Sequence, residues 1–408
     1  MSDPVKPRQV NLALQGGGSH GAFSWGVLDR LLEDDRIEIE AITGASAGAM
    51  NAVALAAGFA VGGKEDARRT LQAFWDGVLM EAQTSLLRRS PLEAMLSGWN
   101  MDTSPAYVMM DLVTRIASPY DYNPLNINPL RELLVQLIDF EAVRASKVKT
   151  YISATNVETG RARVWNQSEI DVDHVMASAC LPWLFQAVEI DGVPYWDGGF
   201  TGNPALWPLF EDSASDDVVL VQINPITRPG APTSAREIIN RINEITFNAS
   251  LLQDLRAVDF VARLLDAGRL EDTGYRHVLM HMIEDEATLS ALGASSKFNV
   301  EPGFIAMLFE HGRKAADSWL DRNFRHLGVK STVNIRRMFQ GEEDSLDGAR
   351  LKPPRGKAPA AKASAKTPAA KTPAAKTPAA KTPAAKSAPK KKPAPARAPA
   401  RRKPKAAE

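Results

Sequence analysis

Residues Val10–Ala60 read VNLALQGGGSHGAFSWGVLDRLLEDDRIEIEAITGASAGAMNAVALAAGFA. Val10–Leu14 alternates and is rich in strand formers, and Gly16-Gly17-Gly18 follows it closely. Ala22, Phe23, Val27, Leu28, Leu31 and Leu32 then recur at helical spacing. Ile37–Thr43 reads as a second strand, and Ala47–Ala60 begins a second helix almost directly at its end. Strand, glycine loop, helix, strand, tight turn and helix make a βαβα opening, which implies parallel strands covered by helices. The expected fold class is therefore α/β, with a mostly parallel central sheet flanked by helices.

The loop Gly16-Gly17-Gly18-Ser19-His20-Gly21 satisfies G-x-G-x-x-G, the pattern of a dinucleotide-binding turn. That fold also needs an acidic residue ending the second strand, to hold the ribose. Here the strand ends in Thr43-Gly44-Ala45-Ser46, and Glu40 lies before its end. No Gly-Lys-Ser/Thr follows the glycines, so a phosphate-binding Walker loop fails as well. Gly44-Ala45-Ser46-Ala47-Gly48 instead fits G-x-S-x-G, which sets a serine on a sharp strand-to-helix turn with its hydroxyl exposed. The helix behind it turns amides and a positive dipole end toward that hydroxyl. The same letters also describe a glycine-rich helix start with a capping serine. The glycine loop one strand away adds weight to the first reading. Neighbouring parallel strands would place its amides beside Ser46, where Gly17 and Gly18, with Ala47, could hold a developing oxyanion. Gly16, Gly21, Gly44 and Gly48 support that close approach.

A serine nucleophile needs a base. None of the six histidines, His20, His174, His277, His281, His311 and His326, stands in an obvious triad context. His277 and His281 are four apart on a predicted strand and offer too few ligands for zinc. The better candidate is Asp197, in VPYWDGGFTGNPAL (Val193–Leu206), where Gly198 and Gly199 allow the chain to turn sharply. Taken alone, Asp-Gly-Gly reads first as a plain turn, the commonest meaning of those letters.

Further along, Asp66–Met80 reads as a helix, and Glu81–Asn128, interrupted by prolines, as an irregular cap. Within it Trp99, Met101, Met109 and Met110 could face lipid or fill a core. Leu130–Ile138 reads as a helix, Thr150–Asn156 with Ala162–Trp165 and Val188–Ile190 with Pro194–Trp196 as hairpins, and Val218–Ile223 as a central strand. Ala235–Gly268 reads as mostly helical, Arg276–Met282 as a strand and Glu301–Phe324 as a closing helix.

The chain has 408 residues, 44% of them hydrophobic, enough for a large core. A single cysteine, Cys180, rules out an internal disulfide framework and fits a reducing compartment. The polar start and the lack of a long apolar run point to neither a signal peptide nor a spanning helix. The formal net charge of +1 conceals two opposed parts. Residues Lys352–Glu408 hold 17 of the 49 Lys+Arg and 1 of the 48 Asp+Glu, a net of +16. The remainder holds 32 basic and 47 acidic residues, a net of −15. The tail repeats Lys-Thr-Pro-Ala-Ala and contains no aromatic residue. Regular prolines and the lack of large apolar side chains read as a disordered cationic arm. It is either a solubilising tail or a contact for a polyanion: anionic lipid, nucleic acid or a storage inclusion. The expected division is 1–9 as a short extension, 10–327 as the catalytic domain, 328–351 as a linker and 352–408 as the tail.

GGGSHGAF, GASAG, ASACLPWLFQAVEIDG and YWDGG followed by NP resemble, in order and spacing, the patatin-like phospholipases. The resemblance covers roughly Val10–Pro225. It implies a patatin-type three-layer α/β fold and a serine acyl hydrolase using a Ser-Asp dyad without cofactor or metal. It makes Ser46 the nucleophile, Asp197 the base and the first glycine loop the oxyanion hole, and it places Ala177–Pro182 and Phe185 in the pocket wall. The family usually carries Arg or Lys in the glycine loop, where this chain has His20, whose charge depends on pH. The leading expectation is a cytoplasmic lipase or phospholipase A that cleaves fatty-acyl esters at a membrane or granule surface. The alternatives are an esterase or depolymerase at a storage polyester or other anionic inclusion, and a non-catalytic scaffold tethered by its tail.

Overall fold

The structure, a computed structural model, describes residues 6–83, 87, 89–90, 93–95, 98–270 and 273–341. The basic tail and the end of the expected linker lie outside the described residues. β1 (Arg8–Leu14) runs through the glycine loop into α1 (Gly21–Glu33), β2 (Ile37–Gly44) and α2 (Ala47–Ala82). Six further strands complete one sheet: β3 (Lys149–Asn156), β4 (Ala162–Asn166), β5 (Val188–Ile190), β6 (Val193–Asp197), β7 (Asp217–Val221) and β8 (Leu279–Ile283). Their order is β5-β6-β3-β2-β1-β7-β8, with β4 also paired to β3. β3, β2, β1, β7 and β8 are parallel, while β4, β5 and β6 add antiparallel pairings at one end.

Each face of the sheet buries its own core. Leu12, Leu14, Ile42, Ile152 and Val219 pack toward α1, α2 and the helix Pro302–Asn323. Ala13, Ala41, Tyr151, Val218 and Leu220 pack on the other side with Leu251, Leu255 and Val258 of the helix Ala235–Asp266. Alternate residues of β1 thus feed opposite cores, the two-sided burial expected of a central parallel strand. The molecule is a three-layer α/β fold.

α1 is buried almost all round because helix Pro302–Asn323 crosses its outer face. The two backbones meet at glycines. A Cβ on Gly26 would lie 2.0 Å from the Phe309 carbonyl oxygen, and one on Gly312 would lie 2.1 Å from that of Phe23.

The stretch Ala47–Ala82 is two helices, as expected, separated where Gly62 and Gly63 leave helical geometry. Two parts of the chain differ from the sequence expectation. The proline-rich stretch expected to be irregular contains helices Pro105–Ile116 and Pro119–Tyr122. Each begins with its proline, where the missing N–H removes no helical bond. In that stretch Met101 is buried, Trp99 packs against Phe304 with centroids 5.3 Å apart, and Met109 is exposed. Finally, the start of the expected linker packs onto the sheet edge. Thr332 N donates to Met280 O at 3.0 Å, and Met338 and Phe339 of helix Ile335–Gln340 join the second core.

Candidate active site

β3 brings the two candidate reacting groups together. β2 runs parallel to β3 and pairs with it as far as Gly44, opposite Ile152. β6 runs antiparallel and pairs with the same strand at its other end, with Asp197 opposite Ala154. The carboxyl ends of β2 and β6 therefore approach each other along β3. Ser46 stands two residues beyond Gly44, and Asp197 closes β6.

Ser46 has φ 53° and ψ −124°, a left-handed backbone for a residue with a side chain. Such strain persists only where surrounding contacts enforce it. Here the Ser46 N–H donates to Ser178 Oγ at 2.9 Å, and α2 starts at once with Gly48 N donating to Ala45 O at 2.8 Å. Neighbouring segments fill the space beside several of the predicted glycines. A Cβ on Gly16 would lie 2.7 Å from Ser46 Cβ, one on Gly48 2.4 Å from Leu14 O, and one on Gly44 2.4 Å from Gly48 O. Gly21 abuts Ala47 in the same way.

The glycine loop is held by amide side chains. Gly16 N donates to Asn203 Oδ1 at 2.6 Å, and Asn224 Nδ2 donates to Gly16 O at 2.8 Å. Gln15 ties Ile223, Asn224 and Asn248 into the same network. Among the described residues, the N–H groups of Gly17, Gly18 and Ala47 donate to no acceptor, whereas those of Gly16 and Ser46 are taken. Gly17, Gly18 and Ala47 are the residues that the sequence nominated for an oxyanion hole; among the described residues the N–H groups of Ser19 and Ala45 beside them are unpaired as well.

Asp197 is fully buried. Its Oδ1 accepts from Gly199 N at 2.6 Å, and its Oδ2 has no partner of hydrogen-bond geometry. Burial pushes its pKa up to about 6, against the opposing pull of the Gly199 N–H, the Ser46 hydroxyl and the Lys297 charge. Gly198 lies against the Ser153 carbonyl and Gly199 against the Phe247 ring, leaving no room for side chains at either.

No histidine hydrogen-bonds to Ser46 or Asp197. His174 pairs with Asp171, His281 with Asp217 and His311 with Asp285, while His277 is exposed and His326 half-buried. His277 lies before β8 and His281 on it. His20 is buried, and burial first, then Lys297 and Arg228, lower its pKa to about 3. Ser296 Oγ donates to Gly293 O at 2.7 Å, so the 2.8 Å contact with His20 requires His20 Nε2–H as donor. The imidazole is neutral, and the glycine loop carries no positive charge at neutral pH. The sequence did not point to the Gln15–Asn203–Asn224–Asn248 network or to Lys297. Asn203 and Ser178 did fall within recognised stretches, but no spacing marks them out.

A serine and a carboxyl at facing strand ends of a three-layer α/β sheet form the kind of site found in acyl hydrolases. Residues 12–210 match the sequence model of the patatin-like phospholipase family, and this part of the chain is a patatin-like phospholipase domain with the patatin fold. The match supports a lipid acyl hydrolase. Two solved structures are also similar. One is VipD from Legionella pneumophila, at 15% identity and TM-score 0.35, covering 78% of this chain and 67% of that one. The other is the ExoU–SpcU complex of Pseudomonas aeruginosa, at 14% identity and TM-score 0.34, covering 78% of this chain and 52% of the matched one. This chain therefore spans about half of that second neighbour. No curated protein matches the sequence. Among the described residues, no helix is long and apolar enough to cross a membrane.

Proposed function

We propose that the protein is a serine acyl hydrolase of lipase or phospholipase A type, cleaving fatty-acyl esters of lipids. The observation that carries this reading is the placement of Ser46 and of a buried Asp197 carboxyl with a free Oδ2 at facing strand ends along β3, beside the unpaired amides of the glycine loop. Asp197 takes the Ser46 proton as Oγ attacks the ester carbonyl. The N–H groups of Gly17, Gly18 and Ala47 hold the oxyanion. Collapse expels the alcohol, which leaves with the proton from Asp197. Water then attacks the acyl-serine, Asp197 accepts its proton, and the fatty acid departs as Ser46 is reprotonated. A carboxyl with a pKa near 6 is a stronger base than an ordinary aspartate, whose reference value is about 3.9, and is still ionised at neutral pH. The cationic tail directs this enzyme to a polyanionic surface, with anionic lipid as the first candidate.

The test is labelling by a fluorophosphonate probe together with hydrolysis of a short-chain nitrophenyl ester. Wild type should do both. Ser46→Ala should lose both. Asp197→Asn should stay folded and lose at least about a hundredfold in turnover. Full turnover in Asp197→Asn would remove the dyad. A folded wild type that neither labels nor hydrolyses, even with anionic vesicles added, would leave the tethered scaffold as the reading.

A further inference from the structure

Lys297 enters the site from the far end of the sequence. It lies on the short 3-10 turn Ala294–Phe298, outside the segment matched by the family. Its backbone carbonyl lies against the glycine loop, 2.5 Å from where a Gly18 Cβ would sit, and Gly18 has φ +56°. Both facts exclude a side chain there. Its Nζ donates to Asn224 Oδ1 at 2.8 Å and Asn243 Oδ1 at 2.9 Å. Asn224 is the residue whose amide holds the Gly16 carbonyl. Nζ also sits 4.9 Å from the centre of the Phe247 ring, which packs on Gly199 beside Asp197. The lysine thus reaches both halves of the site, the glycine loop through Asn224 and the Asp197 turn through Phe247.

Lys297 is half-buried, and an ammonium drawn in from water is costly without a compensating partner. Its two direct partners are neutral amide oxygens. The charged groups facing it are Glu244, Asp197 and Arg228, with the neutral His20 on the loop side. Glu244 is already shared by Arg228 at 2.6 Å and Arg241 at 3.1 Å. Among the described residues no carboxylate is dedicated to Lys297, so its charge is available to an anion formed in the site.

We propose that Lys297 is the fixed positive charge of this active site, a positioning residue that steadies the glycine loop through Asn224 and favours the anionic states of the reaction, the Asp197 carboxylate and the oxyanion. This rests on the hydrolase reading above. It also fits the neutrality of His20, which leaves the loop without a cation of its own. Burial lowers the Lys297 pKa to about 8, while Glu244 and Asp197 oppose that fall. The charge is therefore lost on the alkaline side of neutrality.

The experiment is the pH dependence of kcat/KM for nitrophenyl ester hydrolysis, run on wild type, Lys297→Met and Lys297→Arg, with folding checked by thermal melting. Wild type should give a bell with limbs near 6 and 8. Lys297→Met should fall about tenfold or more at pH 7, lose the alkaline limb and move the acid limb to higher pH, because Asp197 loses a cation that favours its charge. Lys297→Arg should keep the acid limb in place and carry the alkaline limb upward, because guanidinium does not deprotonate in this range. A purely structural lysine would scale activity without moving either limb, and that result overturns the proposal. Should Lys297→Met fail to fold, an unmoved alkaline limb in Lys297→Arg overturns it equally. Absence of Ser46-dependent turnover in wild type sinks the hydrolase reading and this proposal together. Normal turnover with unmoved limbs sinks only the role of Lys297.

Discussion

At Asp197 the requirements of stability and of chemistry oppose each other. Burial favours the protonated carboxyl, raising its pKa to about 6, whereas a base must be ionised. The stability contributed by this group is complete below the unfolded-state value of about 3.9 and is lost as pH rises through about 6. Asparagine imitates the protonated form and can still accept from Gly199 N. Asp197→Asn should therefore melt higher than wild type above pH 7, by the equivalent of about 2–3 kcal/mol, and at nearly the same temperature below pH 4. Thermal melts across this range check it, and an equal or lower melting point at pH 8 would remove the burial argument. Ser46, the proposed nucleophile, stands out in the sequence because a strained turn and a close approach demand small residues, which leave a pattern of glycines; Asp197, the proposed base, stands out through the resemblance, since Asp-Gly-Gly alone reads as a turn. Nothing marks out Lys297 or Asn224. Each acts through a single polar contact formed across a large sequence separation, and no local constraint on residue type records it.

Between elements, the packing of α1 on helix Pro302–Asn323 shows how a helical pattern can omit its partner. The apolar stripe of α1 predicted a helix with one covered face. The structure buries the opposite face too, through the backbone contact at Gly26 and Gly312. Glycine inside a helix costs about 1 kcal/mol relative to alanine, so Gly26→Ala gains that much in propensity. Against this, its Cβ would meet the Phe309 carbonyl at 2.0 Å, with the Arg313 N only 3.0 Å away, and neither neighbour is a side chain able to turn aside. Overpacking of about 1–3 kcal/mol or more outweighs the gain. Gly26→Ala should lower the melting temperature, and an unchanged or higher value would mean that the two helices can slide apart freely. The helices starting at Pro105 and Pro119 were missed for a related reason. Proline breaks a helix that contains it but suits one that it begins, and the letter alone does not say which.

For the whole molecule, charge distribution is the property that a single isoelectric point conceals. The net of −15 before Lys352 should repel an anionic membrane, and the net of +16 after it should attract one. At physiological salt, exposed charges are screened beyond about 8 Å, so the two parts do not cancel for a surface that the tail can touch. Each basic residue close to such a surface contributes about 1 kcal/mol, so engagement of even a few of the 17 would outweigh the repulsion of a screened body. Deleting Lys352–Glu408 should therefore abolish salt-sensitive binding to phosphatidylserine-containing vesicles. Turnover of a soluble nitrophenyl ester should be unchanged, because every group placed in the site lies between Gln15 and Lys297. Cosedimentation of the full-length and truncated proteins at low and high salt separates the possibilities. Equal binding by both would move membrane contact onto the folded body. Loss of soluble-ester turnover on truncation would mean that the tail serves the site itself.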